Sequence, residues 1–194
     1  MSGSHFFAFF ARMKYINRWS LMRNVFYETL SQHSTEVASI AHILALIVNK
    51  RFGKSYNAER AAVLGLYHDM PEILTGDMPT PVKYFNSEIK NAFKSVEREA
   101  AARLTDSLPG YLRDEFKTIF SESRDDAEEW RLVKAADKIA ALIKCIEEQK
   151  AGNTEFDKAK QSVENTLKEM ECPEAEVFIE EFLPSFSLTL DQLK

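Results

Sequence analysis

Apolar side chains recur at steps of three and four along nearly the whole chain, and strand-like alternation is almost absent. From Ser34 to Phe52 the repeat runs through Val37, Ile40, Ala41, Leu44, Ile47 and Val48, and Gly53 supplies a left-handed stop. A second helix opens at Asn57 as N-cap and continues through Ala61, Leu64 and Leu66 to His68 and Asp69. Pro71 lacks a backbone N–H and disfavours helix at Met70, so a break falls just after that His-Asp pair. The turn-rich stretch from Thr75 to Pro81 reads as an ordered loop. Helices are expected next over Ser87 to Leu108, with Ile89, Phe93, Val96, Ala100 and Leu104 facing inward, and over Pro109 to Phe120. A further long helix covers Asp125 to Ala151 and is closed by Gly152; two more, Glu155 to Met170 and Pro173 to Phe182, precede an ordered or extended tail. Only six Gly and six Pro punctuate the chain, too few for the many turns of a β-sandwich. The expected fold is all-α, seven to nine helices in a single domain over residues 1–194.

Thirty acidic residues against twenty-five basic ones leave a net charge of −5, with no Lys/Arg stripe to offset it. That excludes a general electrostatic binder of nucleic acid polymers. The longest apolar run, Ala41 to Val48, is interrupted by His42 and is far shorter than the roughly 20 residues a membrane span needs. The apolar run Phe6 to Ala11 precedes its basic residues, Arg12 and Lys14, the reverse of a signal peptide. Cys145 and Cys172 are isolated thiols without a CxxC partner, as suits a reducing compartment. The expected localisation is cytoplasmic.

Chemistry is expected where an inward stripe carries a group that resists burial. Asp137 shares a helix face with Val133, Ala140 and Ala141. A buried lone carboxylate costs several kcal/mol and requires a partner. An ion pair with Lys134 or Lys138 would serve, although neighbours at those offsets mostly point elsewhere. His33 opens one helix, and His68 ends the next with Asp69 directly behind it. Adjacent helical residues diverge by about 100°, so two neighbours converge on one ion mainly where the backbone bends, and Pro71 supplies a bend. Taken singly, either histidine serves as well as a core or capping group. His42 and His5 are read as structural. Two imidazoles and two carboxylates suit a divalent transition metal better than calcium or magnesium.

The order His33, His68-Asp69, Asp137 on a helical chain resembles the HD-domain metal-dependent phosphohydrolases. The stretches SHFFAFFARMKYINRWSLMRNV, SQHS, YHDMPEILTGDMPTPVKYFN, AADKIAALIKC and LPSFSLTL are closely similar to bacterial HD-domain 5′-deoxynucleotidases, and together they span nearly the whole chain. The resemblance implies a helical bundle with its metal-binding core at about residues 28–142. It implies that His33, His68, Asp69 and Asp137 ligate one divalent transition metal, cobalt, manganese or similar. The substrate it implies is a deoxyribonucleoside 5′-monophosphate, contacted by Arg18, Trp19 and the loop of Asp77, Met78, Pro79 and Thr80, beside His33, Asp69 and Asp137. Glu72, Arg18 and Asp77 are the implied catalytic groups.

Each role has a physical basis. The Arg18 guanidinium can bind two phosphate oxygens at once. Trp19 can stack on a base or wall off the position of a 2′-hydroxyl, although a tryptophan there also serves a core. Glu72 follows Asp69 by one helical turn, so the two carboxylates share a face if the helix resumes past Pro71; otherwise Glu72 is a solvated first-turn residue. Asp77 either caps its loop or bonds substrate. Other HD-type readings are hydrolysis of a triphosphate, cyclic nucleotide or alarmone, and non-catalytic nucleotide sensing. Only Arg18, Arg23 and Lys83 lie near the motifs, few cations for a triphosphate. The aromatic segments Phe6–Phe10 and Phe178–Phe186, with the resemblance, suggest a two-fold homodimer.

Overall fold

The computed structural model describes residues 3–83 and 85–193. Its elements are α1 (Phe6–Phe10), α2 (Leu30–Arg51), α3 (Ala58–Tyr67), α4 (Glu72–Thr75), α5 (Thr80–Lys83), α6 (Ser87–Asp106), α7 (Arg113–Phe120), α8 (Ala127–Lys150), α9 (Asp157–Glu169) and α10 (Pro173–Glu181), joined by 3₁₀ turns. Seven of these helices have eight residues or more. Among the described residues the only β pairing is an isolated bridge between Asn17 and Thr29. The all-α expectation holds.

Helices α2, α3 and α8 pack on one another and form the main core, around Leu44, Leu64, Leu132, Ile139 and Ile143. Gly65 lets α3 approach α2: a Cβ built there would lie 2.9 Å from the Ala38 Cα. α8 is apolar on most of its circumference because α2, α3 and α9 all cover it. A second, smaller core joins Phe6, Met13, Leu30, Met70, Ile73, Leu104 and Leu108 across the N-terminal segment, α4 and α6.

Most element boundaries fall within two residues of those read from the pattern, and four readings need correction. α2 begins at Leu30, not Ser34, because Thr29 and Gln32 form a capping box. Pro109 and Gly110 start a separate 3₁₀ turn, so α7 begins at Arg113. Val96 is 52% exposed: it lies roughly 60° from the line through Phe93, Ala100 and Leu104, and α6 is covered on a narrow face. His42 is half-buried rather than enclosed.

The aromatic segments are also largely consumed inside the protein. Phe6 is fully buried with its ring 4.7 Å from that of Phe116, Phe10 packs on Tyr67, and Phe178 is buried against Phe182. Phe7 and Phe182 remain exposed. Both cysteines are free and buried. Among the described residues no helix is long and apolar enough to cross a membrane.

Candidate active site

Three backbone devices bring the chemical groups together. The Thr29 cap starts α2 early enough to place His33 in its first full turn, where it is completely buried. The end of α3 presents His68 and then Asp69, and Pro71 N-caps the single turn of α4 that carries Glu72. The bridge between Asn17 and Thr29 closes the intervening loop: the Arg18 amide donates to the Glu28 carbonyl at 2.9 Å, and the Leu30 amide to the Ile16 carbonyl at 2.8 Å.

That loop is also clamped from α8. The buried Glu148 carboxylate accepts from the amides of Val25 and Phe26 at 2.9 and 3.0 Å and from Asn153 Nδ2 at 2.7 Å, while Lys144 bonds both Glu148 and the Phe26 carbonyl. Arg18 and Trp19 therefore sit on an ordered segment.

His33, His68 and Asp69 offer ligand atoms that all lie within 4.8 Å of one another. His68 Nε2 is 3.0 Å from Asp69 Oδ2, and His33 Nε2 is 3.6 Å from the same oxygen. Asp137 joins at the edge of this cluster, its Oδ1 3.2 Å from His33 Nε2. Neither Nε2 atom has a hydrogen-bond partner although both are fully buried, and such orphaned polar atoms require an explanation. His68 Nδ1 lies 2.7 Å from the Gly65 carbonyl, which can only accept, so the proton sits on Nδ1 and the Nε2 lone pair faces the cluster. Imidazole nitrogens and carboxylate oxygens held this way fit one divalent transition ion.

Arg18 reaches into the cluster. Its guanidinium donates to Asp69 Oδ2 at 3.1 Å and stands 3.8 Å from Asp137 Oδ1 and 3.4 Å from Glu28 Oε2. Burial works against its charge, but Asp137, Asp69, Glu28 and Asp77 together hold its pKa above the ordinary value. Burial would also raise Asp137 and Asp69. For Asp137 the neighbouring His33 and the Lys138 charge outweigh burial, and for Asp69 the neighbouring His68 and Arg18 do; both pKa values lie below the carboxylate norm. Lys138 thus does pair with Asp137, Nζ to Oδ2 at 2.9 Å, contrary to the expectation that neighbours point away; Lys134 instead reaches Glu122.

Glu72 is buried, which excludes the solvated reading, and α4 sets it one turn beyond Asp69. Burial first, then the Asp69 and Asp77 carboxylates, push its pKa up to about 10. Asp77 is raised too, by burial, with Arg18 opposing.

A cavity of about 670 Å³ opens beside the cluster. Arg18, Trp19, Asp77, Met78, Pro79, Thr80 and Asp137 all line it, as does Lys138. Arg18 and Asp137 line the cavity and also touch the His-Asp cluster, whereas His33, His68, Asp69 and Glu72 are not among its lining residues. A larger groove of about 750 Å³, between Phe26, the end of α8 and the tail, brings together no comparable set of ligand atoms.

Trp19 adopts φ +57°, the left-handed region a bulky side chain rarely enters. Its Nε1 donates to Glu28 Oε2 at 2.8 Å, and its ring packs on Phe156. Glu28 is the functional neighbour that sequence reasoning misses. It sits in an irregular loop, and only its place directly before the α2 cap hints at it.

The family model described as 5′-deoxynucleotidase YfbR-like matches residues 5–186. A 5′-deoxynucleotidase of Vibrio cholerae is 50% identical over 193 residues, covering 100% of both chains. The 5′-deoxynucleotidase YfbR of Escherichia coli is 51% identical, covering 100% of this chain and 97% of its own. Among solved structures, an HD-domain phosphohydrolase from Listeria innocua superposes with a TM-score of 0.83 at 24% identity, covering 95% of this chain and 90% of its own. The cyanophage S-2L HD phosphohydrolase DatZ, bound to dA and one catalytic Zn²⁺ ion, gives 0.66 at 19%, covering 94% and 96%. With the fold, the His-Asp cluster and near-complete coverage in agreement, the chain belongs to the YfbR-like 5′-deoxynucleotidase family.

Proposed function

We propose that this protein is a metal-dependent phosphomonoesterase that hydrolyses deoxyribonucleoside 5′-monophosphates to deoxynucleoside and phosphate. The carrying observation is the buried, unpartnered pair of imidazole Nε2 atoms beside Asp69, opening through Arg18 and Asp137 onto the cavity. The names of the full-length relatives and the nucleoside-bound cyanophage enzyme support the same reading.

His33, His68, Asp69 and Asp137 would hold one divalent ion, cobalt, manganese or similar. When bound, such an ion supplies Lewis acidity toward water and a phosphoryl oxygen. Arg18 engages the phosphate with two parallel N–H donors and stabilises the charge on its equatorial oxygens in the transition state. Glu72, buried one turn beyond Asp69, handles the proton of the attacking water or of the departing 5′-oxygen. Trp19 and residues 77–80 enclose the sugar and base, and Asp77 faces the leaving-group side.

The cations of the cavity wall favour a monophosphate. Among its lining residues only Arg18 and Lys138 are basic. Arg23 and Lys83, the other cations near the motifs, are not among the residues that line it. A triphosphate would require more positive charge than this. We further propose a cytoplasmic homodimer, supported by the two buried free thiols and by the exposed Phe7 and Phe182.

The test is phosphate release from a panel of ribo- and deoxyribonucleoside mono-, di- and triphosphates. Deoxyribonucleoside 5′-monophosphates should turn over fastest. Chelator-stripped protein should be inactive and regain turnover with cobalt or manganese. Preferential release from triphosphates, or undiminished activity after stripping, contradicts the reading.

A further inference from the structure

We propose that Glu28 is a positioning residue of this site: one carboxylate that orients His33 toward the metal position and, with its second oxygen, holds Trp19 and Arg18 on the substrate side. The inference rests on the reading that His33, His68, Asp69 and Asp137 hold a divalent ion.

The geometry is specific. Glu28 Oε1 stands 3.5 Å from His33 Nδ1. Glu28 Oε2 accepts from Trp19 Nε1 at 2.8 Å and lies 3.4 Å from Arg18 Nε. Neither His33 Nδ1 nor Arg18 Nε makes a hydrogen bond, both are buried, and the Glu28 carboxylate is the acceptor that faces them. The Glu28 backbone cannot drift, because its carbonyl takes the Arg18 amide and its neighbour Thr29 caps α2. One side chain therefore faces a candidate metal ligand, a phosphate-binding guanidinium and an indole.

The two imidazoles are oriented alike from opposite sides. The Gly65 carbonyl fixes His68 by accepting from Nδ1, and Glu28 presents an oxygen to the corresponding atom of His33. An acceptor at Nδ1 keeps the proton there and the lone pair on Nε2, and a carboxylate acceptor also raises the ring's basicity toward a metal. Simple charge pairing with Arg18 does not account for Glu28, since Asp69 and Asp137 already face that guanidinium. A third carboxylate leaves an excess of negative charge that a divalent cation would balance. Because the same group also accepts from the Trp19 indole, metal loading and the shape of the nucleotide pocket depend on one residue.

The test is a cobalt titration of metal-stripped protein, followed by cobalt's visible absorption, with helicity and thermal melting as folding controls. Glu28→Gln is nearly isosteric: its amide oxygen can still accept from the indole, but its NH₂ then meets the N–H of His33. Cobalt affinity should fall about 10- to 100-fold with the melt unchanged. Trp19→Phe, which removes the indole donor and shortens the ring but leaves Glu28 and His33 in place, should bind cobalt as the wild type does. Wild-type cobalt affinity in Glu28→Gln overturns the proposal, as does an equal loss in Trp19→Phe. Should Glu28→Gln not fold, Glu28→Asp retracts the charge from His33 and must also weaken cobalt; if it does not, the proposal fails. A wild type that binds cobalt yet releases no phosphate from any deoxynucleotide refutes the proposed activity and leaves this test standing. A wild type that binds no cobalt refutes both.

Discussion

Glu72 shows at the scale of one residue how surroundings assign a role. The same glutamate on a solvated turn would be an ordinary acid, but here it is buried beside Asp69 and Asp77, which favours its protonated form. It stands one turn beyond Asp69 and outside the cluster of His33, His68 and Asp69. Glu72→Ala should therefore retain metal and nucleotide binding while losing about 10²- to 10⁴-fold in kcat; single-turnover phosphate release checks this, and wild-type kcat contradicts it. Arg18 acts differently, since it lines the cavity and touches Asp69. Arg18→Ala should raise KM for the monophosphate and lower kcat, with one metal per chain retained; unchanged kcat/KM would remove it from phosphate recognition. The candidate metal ligands were legible in the sequence because His and Asp stand out against an apolar helical pattern. Glu28 was not, because an acidic residue in an irregular loop interrupts no periodicity, and its three partners are chosen only by the folded backbone.

At the scale of elements, the same distinction separates what a pattern carries from what packing decides. Helices α8, α9 and α10 follow from periodicity, a closing glycine and a proline at the first turn, which are local signals. The start of α2 was legible too, in the capping pair Thr29 and Gln32, but the apolar stripe begins later and draws attention away from it. Lys144 and Glu148 mislead in the opposite direction: charges four apart on a helix ordinarily read as a solvated pair, yet both are buried because the loop of residues 19–28 folds over them. Burial would raise the Glu148 carboxyl, but Lys144, the Val25 and Phe26 amides and Asn153 outweigh it and lower the pKa from 4.5 to about 2. The folded state thus favours the ionised form, so its contribution is complete above about pH 4.5 and is lost as pH falls toward 2. Glu148→Ala leaves Lys144 buried without its partner and should cost about 3–5 kcal/mol at neutral pH, measured by denaturant unfolding. Its stability should also vary less between pH 4.5 and 2 than the wild type's. An equally acid-sensitive variant would show that the loop clamp lies elsewhere.

Across the whole molecule, the bundle works as a frame that makes distant stretches of chain meet. His33 comes from α2, His68 and Asp69 from the end of α3, and Asp137 from α8, and these three helices are the ones that form the main core. Close approach at Gly65 sets the distance between the first two, and its carbonyl also fixes the His68 tautomer. Fold stability and site geometry therefore share the same contacts. Within the aromatic segments Phe6 and Phe178 belong to the core, with Phe9, Phe10 and Phe186 packed against it, and Phe7 and Phe182 stay exposed. Metal content of purified protein, measured beside phosphate release from a deoxyribonucleoside 5′-monophosphate, tests most directly whether the four side chains hold one catalytic ion. One ion per chain in the wild type, lost together with turnover in His68→Ala and in Asp137→Ala, is the expected result. Full turnover in either variant without bound metal would contradict it.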